Sequence, residues 1–163
     1  MELTIREARQ EDLPQLLALY RSYHQGLLTC GMNYDLNDEA LPRVLETRIR
    51  SRLILTAVAE DTGGTLLGFV FCSILRLSPE YLCQGAASVG FLNDLYVSPA
   101  ARRQGLARRL TAFAETWLQE NGINVMQLQI LPGNAAAQAY WSGHGMTPVA
   151  TICSKTLQSN DKK

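Results

Sequence analysis

The chain has 163 residues, of which 47% are hydrophobic, and its fifteen basic and fifteen acidic residues cancel to a formal net charge of zero. Such values describe a single globular domain, 1–163, with room for a substantial core, and they argue against a broad electrostatic footprint for nucleic acid or an anionic membrane surface. No apolar run approaches the roughly 18 residues of a membrane span, and the opening "MELTIREARQEDLPQ" has no apolar signal core, so a cytoplasmic protein is expected.

In chain order, Leu3 and Ile5 alternate with polar residues and predict a short strand. Leu13, Leu16, Leu17 and Tyr20 recur at helical spacing, with Pro14 tolerable only in a first turn. "NDEALPRVLETRIRS" predicts a second short helix, capped by Asn37 or Asp38, with Pro42 near its start. "LILTAVAE" and "LLGFVFCSILRL" read as strands joined by the turn "DTGG". After a loop at 78–88 comes a strand, "SVGFLNDLYV", and then a helix carrying Leu106, Leu110, Phe113 and Trp117 on one face and ending near Gly122. "VMQLQIL" predicts a strand, "NAAAQAYWSG" a short helix and "TPVATICSKTL" a last strand, with 158–163 as a frayed tail. The order β-α-α-β-β-β-α-β-α-β implies an α/β (α+β) fold. Its mixed, mostly antiparallel sheet has six to seven strands, a parallel pair about the helix from 105, and helices on both faces.

Cys30, Cys72, Cys83 and Cys153 form no C-x-x-C pair and only two histidines accompany them, so reduced core thiols and no metal are expected. "VSPAARRQGLARRL" is more informative. Arg102, Arg103, Arg108 and Arg109 crowd around Gly105 where a loop enters a helix. A first helical turn offers unpaired N–H groups and a partial positive charge, and glycine lets a ligand approach the backbone. The pattern reads either as a phosphate cradle or as a solvated basic face with a glycine relieving a turn. The Walker and Rossmann glycine patterns are both absent.

"R-R-Q-G-L-A", Arg102 to Ala107, resembles the acetyl-CoA motif [QR]-x-x-G-x-[GA] of the GNAT acyltransferase superfamily. The flanking "LNDLYVSPAARRQGLARRL" and the downstream "NAAAQAYWSGHGM" are similar to that family too, so the resemblance covers nearly the whole chain. It implies an N-acetyltransferase using acetyl-CoA. The pyrophosphate would rest on the loop Arg102, Arg103, Gln104, Gly105, Leu106, Ala107 and Arg108, and the pantetheine would pair along Leu95, Tyr96 and Val97 where two parallel strands splay. Asn134, with Ala137 and Trp141 on the same helix, would steady the pantetheine or adenosine side; for Asn134 a plain helix cap is the other, compatible reading.

The chemistry implied is direct attack of an amine on the thioester in a ternary complex. An alkylammonium of pKa near 10.4 costs roughly 4–5 kcal/mol to present as free amine at pH 7, so a base is useful. The sequence departs from the family at two points. Trp141 stands where the family has its general-acid tyrosine, leaving Tyr140 as the candidate, and Asn93 replaces the glutamate of related polyamine enzymes, leaving Asp94 as base or amine contact. His144 reads as a turn residue. The acidic segment "YHQGLLTCGMNYDLNDE", with Tyr34, Asp35, Asp38 and Glu39, would face a small amine or polyamine-like acceptor. The alternatives are peptide N-termini or lysine, aminoglycosides, a coenzyme A-binding module without transferase activity, and an interaction domain whose arginines are only surface. A homodimer is an open expectation.

Overall fold

In the computed structural model, which describes residues 3–157, the alternating start of the chain forms β1 (Leu3–Glu7). Two helices follow, α1 (Leu13–Leu28) and α2 (Leu41–Arg50), each with proline in its first turn, where the missing N–H costs no hydrogen bond. Asn37 caps the turn that leads into α2, its Oδ1 accepting from the Ala40 N–H at 3.1 Å. Next come β2 (Ile54–Asp61) and β3 (Leu66–Arg76), whose turn is fastened by Asp61 Oδ1 accepting from the N–H groups of Gly63 and Thr65. The chain continues through β4 (Ser88–Val97), α3 (Leu106–Glu120), β5 (Met126–Leu128) and α4 (Ala135–Gly143).

The strands lie in sequence order β1-β2-β3-β4-β5, antiparallel except for the parallel pair β4–β5. Period-two alternation in β2 and β3 separates two apolar layers. Val58, Phe69 and Phe71 face α1 and α2, where Leu16, Leu41 and Leu45 are buried. Ala57, Ala59, Val70 and Cys72 face the other way, against Leu106, Leu110, Ala114 and Leu118 of α3 and Trp141 of α4. The end of α3 lies so close to β4 that a Cβ at Gly90 would fall 2.5 Å from Leu118 Cδ1, which is why β4 carries no side chain there. Arg6 ties β1 to its surroundings, donating to both oxygens of Asp12 and to Glu60.

Three expectations need correction. The sheet has five strands, not six to seven, because residues 147–157 pair with no strand among the described residues. Gly145, at φ +79°, turns the chain out of α4; Met146 N–H still bonds Trp141 O, and every residue from Thr147 to Leu157 is exposed. Likewise β5 spans three residues where 125–131 was expected, since β4 leaves it after Leu92. Of the cysteines only Cys72 is a core thiol, held up to about 12 by burial, while Cys153 is exposed. The expected frayed tail lies outside the described residues.

Candidate active site

The site originates in an irregularity of β4. Phe71 of β3 pairs with Asp94 and Cys72 with Leu92, so Asn93 is an extra residue without a partner on β3. Such a bulge shifts side-chain alternation by one position. Leu92 lies in the α3 layer, yet two residues later Asp94 points to the α1/α2 face; beyond the bulge Leu95 and Val97 belong to the α3 layer and Tyr96 to the other. The same irregularity ends the parallel pairing, which runs only from Gly90–Leu92 to Met126–Leu128. From Asn93 to Val97, β4 therefore has β3 on one side and no strand on the other among the described residues. A strip of peptide groups faces that gap.

The bulge fixes the electrostatics as well. Asp94 meets Arg48 of α2, Nη1 to Oδ2 at 3.2 Å, and that guanidinium also sits 4.9 Å above the centre of the Phe71 ring. The Asp94 side chain is 13% exposed. Burial pushes its carboxyl above the usual carboxylate range, and Arg48 pulls the other way by favouring the charged form. Tyr20 and Tyr23 of α1 complete this wall, their hydroxyls held protonated by burial first and by the Asp94 charge second. Asn93 itself is exposed, with Oδ1 accepting from Ser73 Oγ at 2.9 Å.

Beyond Val97 the strip runs into the glycine loop. A short turn at Pro99–Ala101 buries Ala101, Arg103 adopts φ +62°, and Gly105, at φ +75°, caps α3. A Cβ on Gly105 would meet nothing within 4 Å, so the space above it is open to a ligand. The four arginines divide by role. Arg102 Nε donates to Val97 O at 3.1 Å and Arg109 Nη2 to Leu3 O at 2.6 Å, so these two hold the loop and helix in place. Arg103 and Arg108 are exposed and make no side-chain hydrogen bond or ion pair among the described residues, leaving both guanidiniums for an anion. Gln104 is exposed, Leu106 is buried under the sheet, and Ala107 lies half-buried in the first turn.

Asn134 caps α4, its Oδ1 accepting from Ala137 N–H at 3.0 Å. Trp141 is core, 6% exposed. Tyr140 packs edge-on against Trp141 and beside His144, and its hydroxyl lies 2.9 Å from Thr111 Oγ1 of α3. Burial raises the Tyr140 pKa. The His144 ring nitrogen Nδ1 contacts Tyr140 O at 2.7 Å, in keeping with a turn residue. The loop before α4 abuts the segment after α1, since a Cβ at Gly133 would fall 2.5 Å from Cys30 O. His24 secures that segment through Tyr34 O at 2.9 Å. The structure thus brings Asp94, Leu95, Tyr96, Val97 and the 102–108 loop into one continuous run and sets Asn134, Ala137, Tyr140 and Trp141 on the helix after β5. Sequence reasoning missed Arg48, Tyr23, Ser73 and Thr111, all partners contributed by distant elements. Among the described residues, no three histidine, cysteine, aspartate or glutamate side chains are grouped to hold a metal, and no helix is long and apolar enough to cross a membrane.

The profile of the acetyltransferase (GNAT) family matches residues 13–146. The chain belongs to this family. It is 25% identical to the uncharacterized N-acetyltransferase YhfO of Bacillus subtilis over 143 residues, 88% of this chain and 89% of that one. It is 35% identical to the aminoglycoside N(6')-acetyltransferase type 1 of Klebsiella aerogenes over 103 residues, 63% of this chain and 64% of that one. In fold it is similar to the aminoglycoside N-acetyltransferase AAC(6')-Iy in complex with CoA, with a TM-score of 0.79 at 20% identity, covering 96% of this chain and 95% of that one. The chain is an N-acetyltransferase, and its cosubstrate is acetyl-CoA. The residues present fit that molecule: open space over Gly105, two unpaired guanidiniums and an unpaired strand edge leading to them.

The loop geometry makes a prediction. In Gly105→Val a branched side chain occupies the open space, and the left-handed backbone adds roughly 1–2 kcal/mol of strain. Titration calorimetry should show loss of coenzyme A binding in a variant whose circular dichroism stays native. Arg102→Ala should weaken binding less, because the backbone donors survive. Unchanged affinity in folded Gly105→Val would contradict the cradle.

Proposed function

We propose that the chain transfers the acetyl group directly to a primary amine of a small molecule within a ternary complex. The observation carrying this reading is the continuous run from the buried Asp94, along the free edge of β4, to the open Gly105 turn. Backbone N–H groups from Arg103 to Arg108 take the phosphates, with Arg103 and Arg108 adding charge. The free edge at Leu95–Val97 aligns the chain of the cosubstrate, and Asn134 with Ala137 borders it from α4. Acetyl-CoA supplies an acyl group already activated as a thioester. The protein contributes orientation, water exclusion and two proton movements.

Asp94 receives the amine. Burial makes its carboxylate a better base than an exposed aspartate, while Arg48 opposes that shift by favouring the charged form. The acceptor approaches from the α1/α2 face, where Asp38 is already paired with Arg21 and Asp35 and Glu39 remain exposed. A cleft of about 370 Å³ along α2, lined by Ala40, Arg43, Val44, Thr47, Arg48 and Ile54, is of small-molecule size. Its two arginines make a polycation a poorer fit there than an amine of single charge. Tyr140 donates the proton to the departing sulfur, its hydroxyl oriented by Thr111. A cytoplasmic homodimer belongs to the same reading.

Three substitutions test the roles. Asp94→Asn should lower kcat/KM at pH 7 and recover toward the wild-type rate as pH rises, because a growing share of the amine is then already unprotonated. In the wild type, activity should fall as pH drops through the raised Asp94 value, above the range of an ordinary carboxylate. A parallel loss at every pH would remove Asp94 as base. Tyr140→Phe keeps the ring packing and deletes the hydroxyl; turnover should fall about 10²-fold with the acetyl-CoA KM nearly unchanged. Thr111→Val, which releases the hydroxyl without deleting it, should cost less. Wild-type turnover in Tyr140→Phe would exclude it as the donor.

A further inference from the structure

The cleft along α2 is charged at its rims and apolar between them. Ala40, Arg43, Val44, Thr47 and Arg48 recur at three- and four-residue spacing and so form one stripe of the helix. On a helix of 3.6 residues per turn, Arg43 and Arg48 fall at the two edges of that stripe, offset by about 7.5 Å along the axis. Ala40, Val44 and Thr47 lie between them. Opposite the helix, Ile54 of β2 pairs with Ser73 of β3, and Ser73 Oγ steadies Asn93, the neighbour of Asp94. Arg48 makes a second link to the base, since it lines the cleft and also holds Asp94 Oδ2 at 3.2 Å. Arg43 is different. It is exposed, and its guanidinium makes no hydrogen bond or ion pair among the described residues. The acidic residues nearest it do not compensate: Glu46 is taken by Arg50 at 2.7 Å, and Glu39 forms no ion pair with it. Two guanidiniums against one carboxylate leave a positive charge unbalanced beside apolar walls, where it is screened less than in open water.

We propose that the acceptor is a primary amine joined through a short apolar spacer to an anionic group, a carboxylate or a phosphate, with the amine at Asp94 and the anion on Arg43. This rests on the small-amine reading above and names the chemical class of its substrate. A guanidinium presents paired N–H donors that match either anion. The apolar surface between the rims suits methylene groups, and the offset between the rims is too long for an α-amino acid, whose amine and carboxylate share one carbon. Charge balance points the same way. A diamine would add to the unbalanced charge of the cleft, whereas an anion on the acceptor offsets it. Once Asp94 has taken the amine proton the acceptor is left as an anion, and Arg43 balances it. The transfer itself is as described above: the nitrogen bonds to the acetyl carbon, the carbon–sulfur bond breaks, and the sulfur takes its proton from Tyr140.

The test follows thiol release from acetyl-CoA with four series of matched chain length: alkylamines, diamines, ω-amino carboxylates and aminoalkyl phosphates. The expected result is a kcat/KM for an anion-bearing amine at least about tenfold above that of the alkylamine of the same length, expressed mainly in KM. The better of the two anionic series identifies the anion. Arg43→Ala should bring that ratio close to one, Arg43→Lys should keep part of it, and Arg43→Glu should reverse the preference toward the diamine. Each ratio compares two substrates on one enzyme, so general damage to the fold cancels, and calorimetry with coenzyme A on the same samples reports separately on the cosubstrate site. A ratio near one in the wild type, or a ratio that survives Arg43→Ala, would overturn the anionic acceptor and leave the small-amine reading standing. Turnover of none of the four series, by a protein that binds coenzyme A, would overturn the small-amine reading and this inference with it.

Discussion

Because Asn93 has no partner on β3, β4 loses its register at that residue, and three features of the site follow from the one-residue offset. The strand parts from β5, which leaves peptide groups free along Asn93–Val97. The alternation of side chains inverts, so that Asp94 enters the aromatic α1/α2 layer instead of the aliphatic layer under α3. And the bulged residue itself stands exposed where the strands diverge, steadied by Ser73. In an unbroken strand Asp94 would share a face with Leu92, buried against α3 without a charged partner, at a desolvation cost of several kcal/mol. With the bulge it meets Arg48. The irregularity and the ion pair therefore stabilise one another.

The glycine loop depends on the same strand. Val97 ends β4, and its carbonyl is held by Arg102, which places the turn at Pro99–Ala101 and hence the start of α3. Arg109 anchors α3 to β1. Two arginines of the cluster thus do structural work, and the other two remain for the anion. A chain with zero net charge can concentrate positive potential in this way at one helix start without becoming a general polyanion binder. Across the gap, the close approach of Gly133 to Cys30 joins the loop before α4 to the segment after α1.

The local elements were readable because their signals are local. Helical spacing in α1 and α3, the turn between β2 and β3, the cap of α4 by Asn134 and the glycine at the start of α3 all depend on residues a few positions apart. The run of residues that we assign to the cosubstrate, Leu95–Val97 and Arg102–Arg108, is local in the same way. Partners drawn from distant segments were not readable. Nothing near Asp94 in sequence indicates Arg48, 46 residues away, and nothing near Tyr140 indicates Thr111, 29 residues away. The bulge was hidden because "FLNDLYV" reads equally well as an unbroken strand; the only trace was two polar residues together where alternation demands one. The final strand was over-read for the opposite reason, since composition records a tendency to pair and cannot supply the partner.

The central claim is that β4 beyond its bulge and the Gly105 turn form one continuous surface for acetyl-CoA. Residue-resolved hydrogen exchange with and without acetyl-CoA tests it most directly. The account predicts that ligand slows exchange together at Leu95–Val97 and Arg103–Arg108, with the amides of β1 and β2 unchanged. Protection of the loop without protection of β4, or protection confined to another face of the sheet, would contradict it.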